Sequence, residues 1–584
     1  MKLHPIVLLF FLFLLIVLAS SLQAQQRFQP SNRPVNPVFQ KVDQAYREGK
    51  INLDQKIRYK IYAIKDPKKL PTQFQSPNAL PLKCGTPAMI DFNLHKKELS
   101  SATVSEIESE INPPTIQSAQ TYQSPSGKFL IHYETSGSDA VPSKDTNGNG
   151  VPDYVEEVAT AADSSYRYEV QDLGYPDPIP SGQTYDVEIR NLQTIYGQTY
   201  TTNGTTHIQI ENDFSENFPP NTDPQGDQIG AIKVTMAHEF KHAINYKINN
   251  WSGETTKWAE MDATLEEELV YDNVNDYYNY IRSNKSIFNS PQTSFYPGSY
   301  YHVTWAIFFA QKYGSQFWPQ VWHIIGNNPS IRMVNAMTQE LGSRDAFDKA
   351  YIISELWHYA SGNQHSIPGF GFDEKENYPN SYINETFSGA DSIQSPQDIP
   401  EFAANYIEFE PTIQQDGYFS ANFSSTQAAL GLGLIAEFYD GSYQVMTLLS
   451  KGNLKPQNVK TEWKWNNIKR VGIIAANSSD QSSSQYIAQV FPSLPDKITL
   501  NQNFPNPFSN TSGTTIRFSL TNKTDVKLKV YDVVGRLVKT LRNETLPAGY
   551  YQVSFDGSNL ASGIYIYQLV TDQQTFSKKM TLIK

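Results

Sequence analysis

The spacing of apolar and polar positions changes character several times along this 584-residue chain. After Lys2, an almost unbroken apolar run occupies positions 6–19, and small and polar residues follow through Ala24. A basic residue, a short apolar stretch and a small-residue site predict a secretory signal peptide over 1–24, cleaved near Ala24. The run is short for a bilayer span and Gln25 and Gln26 supply no stop-transfer charge, so a retained anchor is disfavoured. No later stretch is apolar enough to cross a membrane, and the mature chain is expected to have no transmembrane segment. From 42 to 64 apolar residues recur at helical spacing, and the segment 25–120 reads as a pro-region or N-terminal accessory segment. Alternating runs then predict strands at 129–133, 185–189 and 207–210. From Trp258 to about Gly362 the period is helical, with Leu265, Leu269, Ile307, Phe308, Val321 and Ile352 on the apolar faces.

Strands first and helices later predict an α+β domain over 121–362. A loop-rich connector, 363–399, leads to short alternating runs such as 406–409 and 434–438, which predict a β-sandwich over 400–492. Past a proline-rich joint at about 491–507, strands at 515–520, 526–531 and 564–569 predict a second small β-sandwich within 493–584. The expected fold class is therefore multidomain, an α+β domain followed by two β-sandwich modules.

Charge and cysteine content narrow the partners. A net charge of −12 offers no basic footprint for phosphate neutralisation, so nucleic acid is not an expected partner. Cys84 is the single cysteine, so no intrachain disulfide can form and stability must come from cores and bound ions. A monomer is expected.

His238-Glu239-Phe240-Lys241-His242 fits H-E-x-x-H, in which histidines four apart on a helix project to one side and can share one zinc. At 100° per residue, Ile232, Met236, Phe240, Ala243 and Ile244 fall on one arc and the two histidines on the opposite one. Glu239 is then placed as general base toward a water that zinc acidifies to a pKa of about 7. The bland alternative is a pair of surface histidines. A catalytic zinc usually takes a third protein ligand. The longer H-E-x-x-H-x-x-G-x-x-H pattern breaks off at Asn245 and Ile248. Glu260 opens a second helical run 18 residues past His242 and is the first choice, with Asp262, Glu266 and Glu267 as alternatives, since acids clustered on a helix often only face solvent. Tyr300 and His302, with Tyr301 between them, are candidate catalytic donors to a tetrahedral oxyanion, although aromatic residues opening a helix often simply pack.

A second pattern begins at Asp145. Asp145, Asn147, Asn149, Val151, Asp153 and Glu156 occupy the ligand positions of a twelve-residue EF-hand-type loop, with Gly150 at its sharp turn. No helical pattern precedes it, so a lone calcium loop capping one helix is expected, a structural Ca²⁺ site rather than a sensor.

The stretch from Gly127-Lys128-Phe129-Leu130-Ile131-His132-Tyr133 through the calcium loop, His238 to His242, Trp258 to Thr264 and Val270 to Tyr277 resembles secreted bacterial metallopeptidases. The resemblance covers roughly residues 40–360 and is gluzincin-like, related in zinc-site layout to thermolysin and bacterial collagenases. It implies a zincin-like domain with His238, His242 and Glu260 as Zn²⁺ ligands and Glu239 as base. The tail resembles another family, the sorting domains of the type IX secretion system, through Leu500-Asn501-Gln502-Asn503-Phe504-Pro505-Asn506-Pro507-Phe508, Val530-Tyr531-Asp532-Val533-Val534-Gly535-Arg536 and Ala561-Ser562-Gly563-Ile564-Tyr565. That implies an Ig-like sorting module, export through the type IX machinery, and a secreted or outer-membrane-attached location. Lys83-Cys84-Gly85-Thr86-Pro87 is similar to the cysteine switch of matrix metalloprotease pro-regions and implies Cys84 as a latency ligand, against the alternative of an inert buried thiol. The expectation taken forward is a zymogen-like zinc metalloendopeptidase acting on protein or peptide substrates. Its rival is a surface adhesin whose zincin-like domain has lost activity.

Overall fold

The computed structural model describes residues 29–111, 120–215, 217–388, 392–394, 398–411, 417–493, 495, 497–509 and 513–583. The signal peptide expected over 1–24 lies outside them. No helix among the described residues is long and apolar enough to cross a membrane. Two compact units form, the first running through Ala350 together with Trp357–Tyr382, the second comprising Tyr351–Leu356 and everything from Ile383 onward.

In the first unit, the helical pattern of 42–64 resolves into α1 (Val38–Arg47) and α2 (Leu53–Lys65). Gly49, at φ 68°, turns the chain between them. The Asn52 side chain accepts the Gln55 N–H and the Gln55 side chain accepts the Asn52 N–H, a reciprocal cap that starts a new helix. Val38, Val42, Ile57, Ile61 and Ile64 share a core with Leu82, Phe92 and Ile195. The N-terminal segment is thus built into the same body as the following sheet rather than standing apart from it.

The next elements are β1 (Leu82–Cys84), α3 (Thr86–His95), α4 (Ser101–Ile111), β2 (Gln120–Gln123), β3 (Phe129–Tyr133), α5 (Asp153–Ser165), β4 (Tyr185–Arg190), β5 (Ile195–Thr202) and β6 (Thr205–Glu211). The strands form one six-stranded sheet in the order β1-β5-β6-β4-β3-β2. β5 runs antiparallel to β6, and β1 lies parallel on the outer side of β5 with Leu82 opposite Ile195 and Cys84 opposite Gly197. β5 carries no alternating apolar signal because Gln198 and Thr199 are buried beside apolar Ile195 and Tyr196.

Helix α6 (Asp227–Asn249) packs on β5 and β6, followed by α7 (Ala259–Val270), α8 (Val303–Tyr313), α9 (Phe317–Asn327), α10 (Met333–Glu340) and α11 (Arg344–Tyr359). Phe240 anchors α6, its ring 5.6 Å from Phe129 and 6.1 Å from both Tyr166 and Tyr185, close enough for edge-to-face packing. β5 and α6 approach closely at Gly197, where a Cβ would stand 2.7 Å from Thr235 Cγ2 and 3.0 Å from Glu239 Cγ. Only glycine fits there.

The second unit is β-rich. A four-stranded sheet, ordered β13-β10-β15-β8, and a five-stranded sheet, ordered β12-β11-β14-β9-β7, comprise β7 (Glu385–Ser388), β8 (Ser392–Gln394), β9 (Ala403–Glu410), β10 (Tyr418–Ser425), β11 (Leu430–Phe438), β12 (Tyr443–Leu448), β13 (Gln457–Lys464), β14 (Ile468–Asn477) and β15 (Tyr486–Pro492). Both sheets contribute to one core, in which Phe409, Phe419, Trp463 and Trp465 meet. β7 and β8 lie inside the stretch expected to be connector, 363–399, so these sheets begin earlier than 400. The chain then forms β16 (Thr499–Leu500), β17 (Phe508–Ser509), β18 (Thr514–Leu520), β19 (Thr524–Asp532), β20 (Leu537–Leu546), β21 (Gly549–Phe555), β22 (Gly563–Val570) and β23 (Thr575–Ile583), arranged as a three-stranded and a five-stranded sheet around another core that includes Phe518, Val530, Tyr567 and Leu582.

Candidate metal centre

His238 and His242 sit one turn apart on α6, and neither is on the surface: they are 1% and 0% exposed. Their Nε2 atoms face each other at 3.2 Å. Glu260, in the first turn of α7, brings its carboxylate to 3.0 Å from His242 Nε2 and 3.8 Å from His238 Nε2. Cys84, at the end of β1, places Sγ 3.4 Å from His242 Nε2. One ligand atom from each of these four residues lies within 4.8 Å of all the others, the one such group among the described residues. Tetrahedral zinc with bonds of about 2.0–2.3 Å spaces its ligand atoms by roughly 3.3–3.8 Å, close to the contacts found.

Hydrogen bonding around the cluster favours a cation at its centre. His238 Nδ1 donates to Glu267 Oε1 at 2.7 Å, which turns the Nε2 lone pair inward toward His242 and Glu260. Burial lowers the His238 pKa, but the Glu267 hydrogen bond and the Glu260 charge outweigh it and leave the group raised. Glu260 is held below the usual carboxylate range, its burial overcome by the hydrogen bond from His242 and the charges of both histidines. Burial, reinforced by Glu239 and Glu260, pushes the Cys84 thiol well up, so the sulfur can ionise here only against a compensating positive charge. Two imidazoles, one carboxylate and one thiol form a donor set suited to zinc.

Glu239 lies beside the cluster with 0% exposure. Its Oε2 accepts hydrogen bonds from Thr86 Oγ1 at 2.9 Å and Thr199 Oγ1 at 2.8 Å. Oε1 has no hydrogen-bond partner among the described residues. The alternatives to Glu260 are placed elsewhere. Asp262 accepts from Trp322 Nε1 at 2.8 Å and Asn245 Nδ2 at 3.0 Å, Glu266 from Lys241 at 3.1 Å, and Glu267 is the partner of His238. The expectation of a solvated acidic face on this helix is corrected: all three are buried, because each has found a cationic or N–H partner.

Lys83, to which the sequence assigns no role beyond preceding Cys84, proves central. Its ammonium is 2% exposed, 2.8 Å from Glu267 Oε2, paired with Asp276, and set over the Tyr196 ring. Burial alone would lower its pKa, yet Asp276 and Glu267 hold it raised. Lys83 and Thr86 flank Cys84 in the 83–87 stretch, which assigns them no role, and Thr199 lies in no motif.

Tyr300 and His302 line a cleft of about 550 Å³ whose wall also includes Cys84 and Glu260. The Tyr300 hydroxyl is 3.4 Å from that of Tyr301. His302 is tied down, its Nε2 donating to the Lys285 carbonyl at 3.0 Å, and burial lowers its pKa to about 4. It is neutral at physiological pH with one ring nitrogen already committed.

The loop of 145–156 is exposed at 146–150 and closes on itself. Asp145 accepts N–H groups of Gly148 and Gly150 at 2.8 and 2.9 Å, and Glu156 accepts from the amides of Asn147 and Asn149 at 2.9 and 2.7 Å. Val151 N–H donates to Asn149 at 2.8 Å, and Asp153, the first residue of α5, is paired with Thr146 and Lys144. Three carboxylates, two amides and a backbone carbonyl are the donors that calcium prefers.

Comparison with known proteins bears on the far end of the chain. Residues 502–584 match the secretion system C-terminal sorting domain family. The protein is a type IX secretion cargo. It is secreted or attached to the cell surface, and the secretion machinery is its partner during export. No curated protein matches the chain. Among solved structures, PorZ, a surface component of the type IX secretion system of Porphyromonas gingivalis, is 18% identical with a TM-score of 0.12, over 19% of this chain and 14% of its own. A β-1,2-glucanase from Parabacteroides distasonis is 10% identical with a TM-score of 0.14, over 31% of this chain and 30% of its own. The chain thus spans less than a third of the length of either.

Proposed function

We propose that the protein is a secreted zinc-dependent endopeptidase of protein or peptide substrates, with a zincin-like domain carried by Ig-like modules. The convergence of His238, His242, Glu260 and Cys84 on one buried point beside Glu239 carries this reading. His238, His242 and Glu260 would hold the ion, and Glu267 orients His238. A bound zinc supplies Lewis acidity toward a scissile carbonyl and acidifies a water. Glu239 is fixed through Oε2 by Thr86 and Thr199, and its free Oε1 is the group that takes the proton from that water and passes it to the departing amine. Tyr300, in the cleft wall, is the candidate donor to the carbonyl oxygen as it gains charge. The 145–156 loop would hold a calcium ion through Asp145, Asn147, Asn149, Val151, Asp153 and Glu156 and brace the start of α5.

The test is zinc content together with casein hydrolysis, measured with and without Glu239→Gln, in wild-type and Cys84→Ser protein. Cleavage that requires Glu239 supports the reading. A second reading, a surface adhesin with a structural zinc, draws on the presence of four protein groups at the cluster, the pattern of closed structural sites. Stoichiometric zinc with no Glu239-dependent cleavage in either background would establish it instead.

A further inference from the structure

Residues 82–86 reach the metal centre at three points. Cys84 supplies Sγ to the cluster, at 3.4 Å from His242 Nε2. Two positions later Thr86 donates to Glu239 Oε2, and its hydroxyl also accepts the Thr199 N–H at 2.7 Å. One position earlier Lys83 pairs with Glu267, the carboxylate that orients His238. Between them, β1 covers the outer edge of β5, the strand whose Thr199 steadies Glu239. A three-ligand catalytic zinc needs one open position. Here a protein sulfur stands at that position, on a strand lying over a sheet edge where an extended peptide could otherwise add.

We infer that residues 82–86 form a built-in inhibitory clamp, in which Cys84 is the fourth zinc ligand and the segment must withdraw before substrate can bind. This rests on the peptidase reading above and specifies how that site is regulated. The exchange is balanced: the thiol gives its proton to solvent when sulfur binds the cation and recovers it on release, and no redox step occurs. Withdrawal also frees Glu239 from Thr86 and removes the cation from Glu267 and Asp276, so opening of the metal position and release of the base occur together. Thiolate is a soft, strong zinc ligand, which explains how a strand of three residues can hold the site shut.

Cobalt substitution of the full chain tests the clamp directly, because a thiolate ligand produces a sulfur-to-cobalt charge-transfer absorption that nitrogen and oxygen ligands do not. Wild type is expected to show this band and to cleave casein slowly. Cys84→Ser is expected to lose the band, retain one zinc, and cleave at least tenfold faster. Absence of the band from wild type overturns the inference. Equal, Glu239-dependent rates in both proteins overturn the clamp and leave the peptidase reading standing. Zinc-loaded Cys84→Ser with no cleavage at all overturns both. Should Cys84→Ser fail to fold, titration of wild type with an organomercurial takes its place: loss of the band with a parallel rise in hydrolysis supports the clamp, and loss without a rise overturns it.

Discussion

The loop of 145–156 draws its oxygen groups from one run of twelve residues, exposed at 146–150, and satisfies most of them within itself, whereas the metal cluster gathers four groups from three separate segments, with Cys84, His238 and His242 buried and Glu260 partly so. In the loop, carboxylates find N–H donors a few residues away, so the turn is held whether or not an ion is present. In the cluster, β1, α6 and α7 bring two ring nitrogens, a carboxylate and a thiol together with no hydrogen-bond donors sufficient to satisfy them all. An exposed loop can exchange an ion for water at small cost. A buried cluster of like-natured acceptors cannot, so an ion held there would be part of the structure.

That contrast can be broken most severely through the histidines. His242→Ala is expected to reduce zinc from about one per chain to under about a tenth by elemental analysis, since one of few ligands is lost. Asp145→Ala should leave zinc content untouched. If both variants keep zinc, the ion sits elsewhere.

Ion pairs sharpen the same contrast. Lys83→Met strands Glu267 and Asp276 without their cation, and urea unfolding should show a loss of about 3–5 kcal/mol. Lys144→Met removes a mostly exposed partner of Asp153 and should cost under about 0.5 kcal/mol. Comparable losses from the two substitutions would refute the assigned difference in burial.

His302, in the cleft wall, has a folded pKa of about 4, below its ordinary value. The unfolded chain therefore binds more protons between about pH 6.5 and 4, and the stability His302 confers is complete above that window and lost as pH falls through it. The loss reaches on the order of 3 kcal/mol near pH 4. Unfolding midpoints measured from pH 7 to 4.5 should decline less steeply in His302→Phe than in wild type, and parallel slopes would contradict this.

The smallest effect is expected at the loop. Calcium at about a hundred times its dissociation constant should raise Tm by roughly 5 °C, and Asp145→Ala should abolish the rise. A calcium-dependent shift that survives this substitution would place the ion at another site.

Much of the architecture was legible because it depends on local spacing. Helical recurrence marked α6 and the helices after Trp258, and alternation marked β3, β4 and β6. β5 escaped because both its faces are buried and carry Gln198 and Thr199, polar residues that hold Gln209 and Glu239 respectively. The single helical pattern of 42–64 hid the break at Gly49 and the cap at Asn52, where local turn chemistry overrides periodicity. Glu260 could be nominated from its distance past His242, but nothing in the sequence distinguished it from Asp262, Glu266 or Glu267. All four lie within two turns of one helix, and their roles depend on which neighbours α6, α9 and β1 present.

The sequence by itself determined that two histidines and a glutamate share a helix, that an acidic, Asn- and Gly-rich loop precedes another, and that the tail carries an export signal, since each is set by residues close together in the chain. Only the tertiary structure decided that Cys84 meets His242 across 158 positions, that Lys83 neutralises two buried carboxylates, and that Glu260 rather than its neighbours lies at the Nε2 atoms of both histidines. Such contacts are created when β1 pairs with β5 and α7 packs on α6. Hydrophobic packing brings those elements together, and the polar groups on their facing sides find their partners as a consequence.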